Sequence, residues 1–288
     1  MLVLFTDTDT DITPKMAEKY GYKLISMPYS IDGKTTYPYV DFDEFDAKGF
    51  YDKLRSGVIP NTSAINEDDY KKYFEPYFAE GSDILYVHFS RAMSATFESM
   101  DRAVAELLKK YPERKFYEID TKGISIVSLN IAFEVGDMYL AGKTAEEMVE
   151  WAKTEVDKFA VYFFADDLRF FKHSGRVSGL AGTMGTLLGI RPIIYMNDEG
   201  KMVSIGKEKG RAKAIERLIK YVEELGDNVK GHRVLIANSD SEDIANDVKQ
   251  GLIDKFGDLD IQLIDVNPTA GSHCGPNAIG VCFHAVHR

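Results

Sequence analysis

Short apolar runs alternate with longer stretches of helical period along the first half of the chain. Leu2–Thr6 reads as a buried strand, and Thr13-Pro14 just beyond it reads as a helix start. Apolar residues on both sides of Asp32-Gly33 signal a hairpin. Helices are expected near Asp43–Ser56 and Asn66–Ala79, with an irregular stretch from Gly57 to Ser63 between them. Asp83–His88 reads as a strand. The helix after it places Met93, Phe97, Met100, Val104 and Leu107 on one face, at spacings of four and three. Lys115–Ile119 is another strand, and a helix follows from about Ser125 to Leu140. Thr144 and Glu147 form a capping box for a further helix with Met148, Trp151 and Val156 on its inner face. This alternation predicts right-handed crossovers and a mainly parallel sheet covered by helices on both faces.

The pattern changes beyond about residue 157. Ala160–Phe164 reads as a strand. Arg191–Met196 and Met202–Gly206 flank a polar turn and read as an antiparallel hairpin. An amphipathic helix carries Ile215, Leu218, Ile219 and Val222. Arg233–Ala237 is a strand, and Ser239 with Glu242 is expected to cap the helix holding Ile244 and Val248. Ile261–Val266 and Ile279–Val286 complete the chain as strands. The fold class is therefore α/β with two unlike domains: residues 1–157, an α/β/α layer with a mainly parallel sheet, and residues 158–288, with a mixed sheet and helices.

Composition narrows the function classes. Hydrophobic residues make up 44% of the 288, enough to build real cores. A net charge of −11 disfavours phosphate backbones and anionic lipid surfaces, and no basic patch offsets it, so no nucleic-acid partner is expected. No apolar run approaches the ~20 residues of a transmembrane segment. The N-terminus lacks the basic region of a signal peptide, so the chain is expected to be cytoplasmic. Cys274 and Cys282 are the only cysteines, and no disulfide is expected between them in a reducing compartment.

Three motifs carry candidate chemistry. Asp7-Thr8-Asp9-Thr10 follows a hydrophobic strand, as the nucleophile and acid of a magnesium-dependent phosphohydrolase would, with Asp166-Asp167 in the role of later acids. The rest of that pattern is missing, which favours turn and cap contacts for Asp7 and Asp9. The glycines at 175, 179, 182, 185 and 189 fit neither a Walker loop nor a Rossmann fingerprint and read as tight turns and close packing. His273, Cys274, Cys282, His284 and His287 match no usual zinc spacing, so no metal site is expected.

Three further segments fit together better than any one alone: Pro60-Asn61-Thr62-Ser63 before a helix, Ser90 to Phe97 after a strand, and Gly271-Ser272-His273-Cys274-Gly275-Pro276, read as a loop before the last strand. With Thr6-Asp7-Thr8, Lys172 to Ser178 and Arg191-Pro192-Ile193, they resemble the DegV family of fatty-acid-binding proteins from the first strand to the last. Ala64 stands where the family usually has Gln, and Ala95 where it usually has Gly.

The resemblance implies a non-catalytic protein without cofactor that binds one long-chain fatty acid, its carboxylate at the domain interface and its tail in an apolar tunnel. Carried over by position, Thr62 and Ser94 donate to the carboxylate and His273 is the third contact, with Ser63 in support. The resemblance also implies a partner, the ATP-binding subunit of a fatty acid kinase, to which the carboxylate is presented for acyl-phosphate formation; Arg176 matches the position linked to that subunit. Elementary physics is compatible. Ser94 is expected to open a helix, where free N–H groups, Ala95's among them, favour an anion. A protonated His273 would add a charge-assisted bond. Burying a methylene is worth ~0.8 kcal/mol, so a long tail contributes on the order of 10 kcal/mol before ordering costs. The alternatives are the phosphohydrolase built on Asp7 and Asp9, and a ligand-free interaction module.

Overall fold

The computed structural model describes residues 1–180 and 189–288. In the first half, strand β1 (Leu2–Asp7) runs into a 3-10 turn at Thr8–Thr10 and helix α1 (Pro14–Tyr20). Thr13 caps α1 through its side chain, and Pro14 stands in the first turn, where no backbone donor is needed. Strand β2 (Tyr22–Ile25) follows, then the hairpin β3 (Tyr29–Ile31) and β4 (Lys34–Thr36), helix α2 (Ala47–Arg55) and the short strand β5 (Asn61–Thr62). Next come α3 (Glu67–Ala79), β6 (Asp83–His88), α4 (Thr96–Lys110), β7 (Phe116–Asp120), α5 (Ile126–Leu140) and α6 (Ala145–Glu155). The Thr144–Glu147 capping box forms as expected.

In the second half, β8 (Phe159–Phe164), α7 (Arg169–Ser174) and β9 (Val177–Ser178) precede the antiparallel pair β10 (Ile190–Met196) and β11 (Met202–Lys209). Helix α8 (Arg211–Leu225), β12 (Val234–Asn238), α9 (Glu242–Phe256), β13 (Ile261–Asp265), α10 (Pro268–Cys274) and β14 (Ile279–His284) complete the chain.

Among the described residues the strands form three sheets. The first is wholly parallel, in the order β2-β1-β6-β7. The second is mixed, in the order β13-β12-β14-β8-β10-β11-β9. The third joins β4-β3-β5 and was not expected, because Asn61-Thr62 carries no strand pattern of its own. The fold is thus α/β with one parallel and one mixed sheet. Helices α3 and α4 cover one face of the parallel sheet with a core of Phe74, Phe97, Met100 and Leu107. Helices α8 and α9 cover the outer face of the mixed sheet. Helix α5 lies between the two sheets. It is apolar around most of its circumference, Ile126, Val127, Leu129, Ile131, Ala132 and Val135 all being buried, and its acids Glu134 and Asp137 pair with Arg233.

Three expectations need correction. Residues Gly271–Cys274 are not a loop but the last turns of α10. The start signal is Asn267-Pro268: Asn267 Oδ1 accepts from the N–H groups of Thr269 and Ala270, both at 2.9 Å. Ser239 does not cap α9; Ser241 holds that position without a side-chain bond, and Asn238 Oδ1 accepts from the Ser241 N–H instead. Met93 is not on the face of α4, which starts at Thr96; it ends a separate 3-10 turn, Arg91–Met93.

Asn267 does more than cap. Its backbone N–H and its Nδ2 both donate to Asp11 Oδ1, at 2.8 and 2.6 Å, joining the loop after β1 to the start of α10. Tyr51 on α2 donates to the Val266 carbonyl at 2.9 Å and backs against Gly271, where a Cβ would come within 2.5 Å of the phenol oxygen. Asn267→Ala should therefore cost about 2–4 kcal/mol, a lost cap plus a buried acceptor left short of donors. The expected readout is a lower urea midpoint at unchanged slope. Asn267→Asp keeps the cap but sets a second carboxyl against Asp11, so its loss should shrink as pH falls from 8 to 5.

Candidate functional site

Two cavities meet between the sheets. The first, about 620 Å³ with its opening, is lined almost wholly by apolar side chains, among them Ile126, Val161, Phe163, Phe171, Met196 and Ile279. The second, about 660 Å³ with its opening, is mixed: Asp9, Thr62, Ser63, Ser94, Arg176 and His273 bring polar groups to a wall that also holds Met27, Phe89 and Ala95. Met93, Ile124 and His273 border both, so one chamber opens on the other at these three side chains.

The polar chamber gathers residues far apart in sequence. Thr62 is held on β5, opposite Tyr29 of β3. Ser94 and Ala95 lie at the entry to α4, and the buried Thr96 hydroxyl fixes them to the Thr62 segment: the Ile65 N–H donates to Thr96 Oγ1 at 3.1 Å and that hydroxyl meets the Tyr70 phenol at 3.1 Å. Ser94 precedes the helix rather than opening it. Its Oγ accepts from the Thr96 N–H at 3.2 Å, which leaves its own proton free to point into the chamber. His273 arrives on α10, its Nε2 3.0 Å from Thr62 Oγ1. Arg176, between α7 and β9, is exposed and stands at the mouth, its NH1 donating to the Ser174 carbonyl. The structure thus brings Thr62, Ser63, Ser94, Ala95, Arg176 and His273 to one cavity.

The expected charge on His273 is corrected. Burial, then the nearby Arg176 and His173, push its imidazole down to about 4, so it is neutral at pH 7. Its Nδ1 is buried without a partner. An orphaned acceptor is less costly than an orphaned N–H, which favours the tautomer with the proton on Nε2, donating to Thr62. Thr62 then keeps its hydroxyl proton for a ligand. Hydroxyls, a neutral imidazole and one guanidinium make a site suited to a monoanion with two acceptor oxygens.

Sequence reasoning did not place Asp9, Met93, Ile124 or Thr269 on these walls; only their burial in the fold shows it. Asp7 takes the expected structural part. It is fully buried, Oδ1 accepting from the Asp9 N–H and Oδ2 from the Tyr86 phenol and the Phe89 N–H, an enclosure that leaves no access for a nucleophile. Burial raises it to about 7 and Asp11 to about 6. Asp166 is bound by Arg191 and Arg211, and Asp167 by Arg169. Gly175, Gly179 and Gly189 occupy positive-φ turns, while Gly182 and Gly185 lie outside the described residues. Among the described residues no cluster of three His, Cys, Asp or Glu side chains is placed to hold a metal, and no helix is long and apolar enough to cross a membrane. Cys274 and Cys282 are free thiols.

The state of His273 can be read directly. Its unfolded value, ~6.5, lies above its folded one, so between the two the unfolded chain holds more protons and stability falls as pH drops. The ring resonances of His273 should titrate with a midpoint near 4. His273→Gln should remove a loss on the order of 3 kcal/mol between pH 7 and pH 4. A ring midpoint above 6 in the ligand-free protein would contradict this.

Comparison with known proteins agrees with the architecture. DegV domain-containing protein CPE0026 of Clostridium perfringens is 32% identical over 281 residues, 98% of this chain and 96% of the relative. A DegV lipid binding protein from Thermotoga maritima superposes with a TM-score of 0.84 at 23% identity, covering 100% of this chain and 99% of that one. A DegV family protein from Thermus thermophilus, described by its fatty acid binding, gives a TM-score of 0.86 at 21% identity over 99% of both chains. The profile of the family described as uncharacterised proteins, DegV family, matches residues 1–286, and so the chain belongs to the DegV family.

Proposed function

We propose that this chain binds one long-chain fatty acid and performs no chemistry on it alone. The carboxylate occupies the polar chamber and the tail the apolar one. The observation that carries this reading is the junction, at Met93, Ile124 and His273, of an almost wholly apolar cavity with one that gathers hydroxyl, imidazole and guanidinium groups. A fatty acid has that division: two acceptor oxygens on a long hydrocarbon. Thr62 and Ser94 offer hydroxyl donors, the first turn of α4 offers backbone N–H groups near Ala95, and Ser63 flanks them. His273 holds Thr62 in donor orientation. The driving force is the tail, at ~0.8 kcal/mol per methylene removed from water. The walls come from both sides of residue 157: Thr62 and Ser94 before it, Val161, Phe163 and His273 after it. That supports a division into units 1–157 and 158–288, with the ligand bridging them. A cytoplasmic setting fits the free thiols.

The finer part of the reading is presentation to an ATP-binding fatty acid kinase subunit. There a carboxylate oxygen would form the bond to the γ-phosphorus, the bond to the β–γ bridging oxygen would break, and ADP would leave. Arg176 supports this by position. It borders the head chamber and also an outer groove of about 700 Å³ with Ala92, Val177, Lys201 and Met202. A partner seated in that groove would meet the carboxylate beside a guanidinium.

Extraction of the purified protein with organic solvent, followed by mass spectrometry, should yield about one fatty acid per chain. None, with no uptake of added palmitate or oleate, would sink the reading. Thr62→Val with Ser94→Ala should weaken palmitate binding at least tenfold, about 1.4 kcal/mol or more, in protein shown by circular dichroism to be folded, because the pair also removes the acceptors of His273 Nε2–H and the Thr96 N–H. Arg176→Ala should still load lipid but lower acyl-phosphate formation with the kinase subunit at least tenfold; normal turnover would remove the partner role from Arg176.

A further inference from the structure

Two residues that border the head chamber each hold a buried polar atom with no partner among the described residues: His273 Nδ1 and Asp9 Oδ1. The first follows from the tautomer that frees Thr62. The second has no such account. Asp9 is only 6% exposed, and its backbone is fixed at both ends: its N–H donates to Asp7 Oδ1 at 3.0 Å, and its carbonyl accepts from the Ser125 N–H at 2.7 Å. The flanking acids are used by the fold, Asp7 by three donors and Asp11 by Asn267 and Ser125. Asp9 alone of the three borders the chamber. A sealed carboxyl oxygen without a partner costs free energy that an apolar residue here would avoid.

We propose that Asp9 meets the ligand's carboxylate as a hydrogen-bond donor, carboxylic acid against carboxylate, and is a determinant of head-group recognition. This rests on the fatty-acid reading above. Burial, then Asp7 and Asp11, hold the Asp9 carboxyl well above the ordinary range, which keeps its proton in place at neutral pH. The groups that face it agree. Tyr70 of α3 and Tyr86 of β6 are neutral phenols, His273 across the chamber is neutral, and Arg176 at the mouth is, among the described residues, the one cation bordering the cavity. An incoming carboxylate adds a negative charge, and two close carboxyls share one proton. An O–H to carboxylate bond is among the stronger hydrogen bonds. The result is a donor that contributes without adding positive charge, and a chamber with one formal cation for one anion.

The test uses the delipidated full chain, palmitate as the probe, and the variants Asp9→Ala and Asp9→Asn at pH 7. Ala removes the donor; Asn restores one through its amide. Asp9→Ala should bind at least tenfold more weakly than wild type, and Asp9→Asn at least fivefold more tightly than Asp9→Ala. Infrared difference spectra on loading with carboxyl-labelled palmitate should show an unlabelled carboxylic acid C=O band that shifts in wild type and is absent in Asp9→Asn. If Asp9→Ala does not fold, that band decides alone. Wild-type affinity in Asp9→Ala, or no shifting acid band in loaded wild type, would overturn the role of Asp9 and leave fatty-acid binding standing. A wild-type chain that takes up no palmitate would overturn both.

Discussion

The buried link between Asp11 and Asn267 is the constraint on which the site depends. Asp11 follows β1, and Asn267 begins α10, 256 positions later. One side chain caps α10 with its oxygen and grips Asp11 with its nitrogen. That fixes the axis of a seven-residue helix, too short to hold its shape by propensity. His273 lies in the last turn of that helix, so its 3.0 Å approach to Thr62 follows from a contact several residues away. Tyr51 secures the same helix from the other side, and Gly271 is what permits its approach.

The second condition is α5. A helix with buried apolar residues on nearly every side cannot lie on a surface, and here it fills the space between the parallel and mixed sheets. Two sheets held apart by one helix leave room beyond its N-terminus. Ser125 and Ile126, at that end, border the apolar chamber. The cavity is thus a consequence of layer geometry, where the helix begins later than the strands that flank it.

Most elements were legible because their signals are local. Thr13-Pro14, the Thr144–Glu147 box and the Asp32-Gly33 turn each specify their own geometry, and the apolar spacing from Phe97 to Leu107 gives the buried face of α4. The failures occur where a local signal competes with a distant contact. Gly271 and Gly275 suggested a loop, yet Gly271 is small to admit Tyr51, and Gly275 ends the helix at φ +70° against Phe170. Asn61-Thr62 becomes a strand only because β3 is there to pair with it. The candidate site was reachable through resemblance, since no periodicity joins Thr62, Ser94 and His273. The neutrality of His273 and the orphaned oxygen of Asp9 are properties of burial, which composition does not report.

The chamber also gives the proposed separation of binding from chemistry a physical basis. A hydrolase or transferase needs a group that gives up or accepts a proton near neutrality at an accessible atom. Here His273 is held far below that range, and Cys274, on the apolar wall, is pushed up to about 12 by burial. Asp7, raised to about 7, has the right value but is enclosed by Tyr86, Phe89 and Asp9. His273 and Cys274 are therefore each held in one protonation state at neutral pH, and Asp7 is sealed from the cavity. On the proposed reading such walls would hold a carboxylate without attacking it, and activation would fall to a reagent arriving beside Arg176.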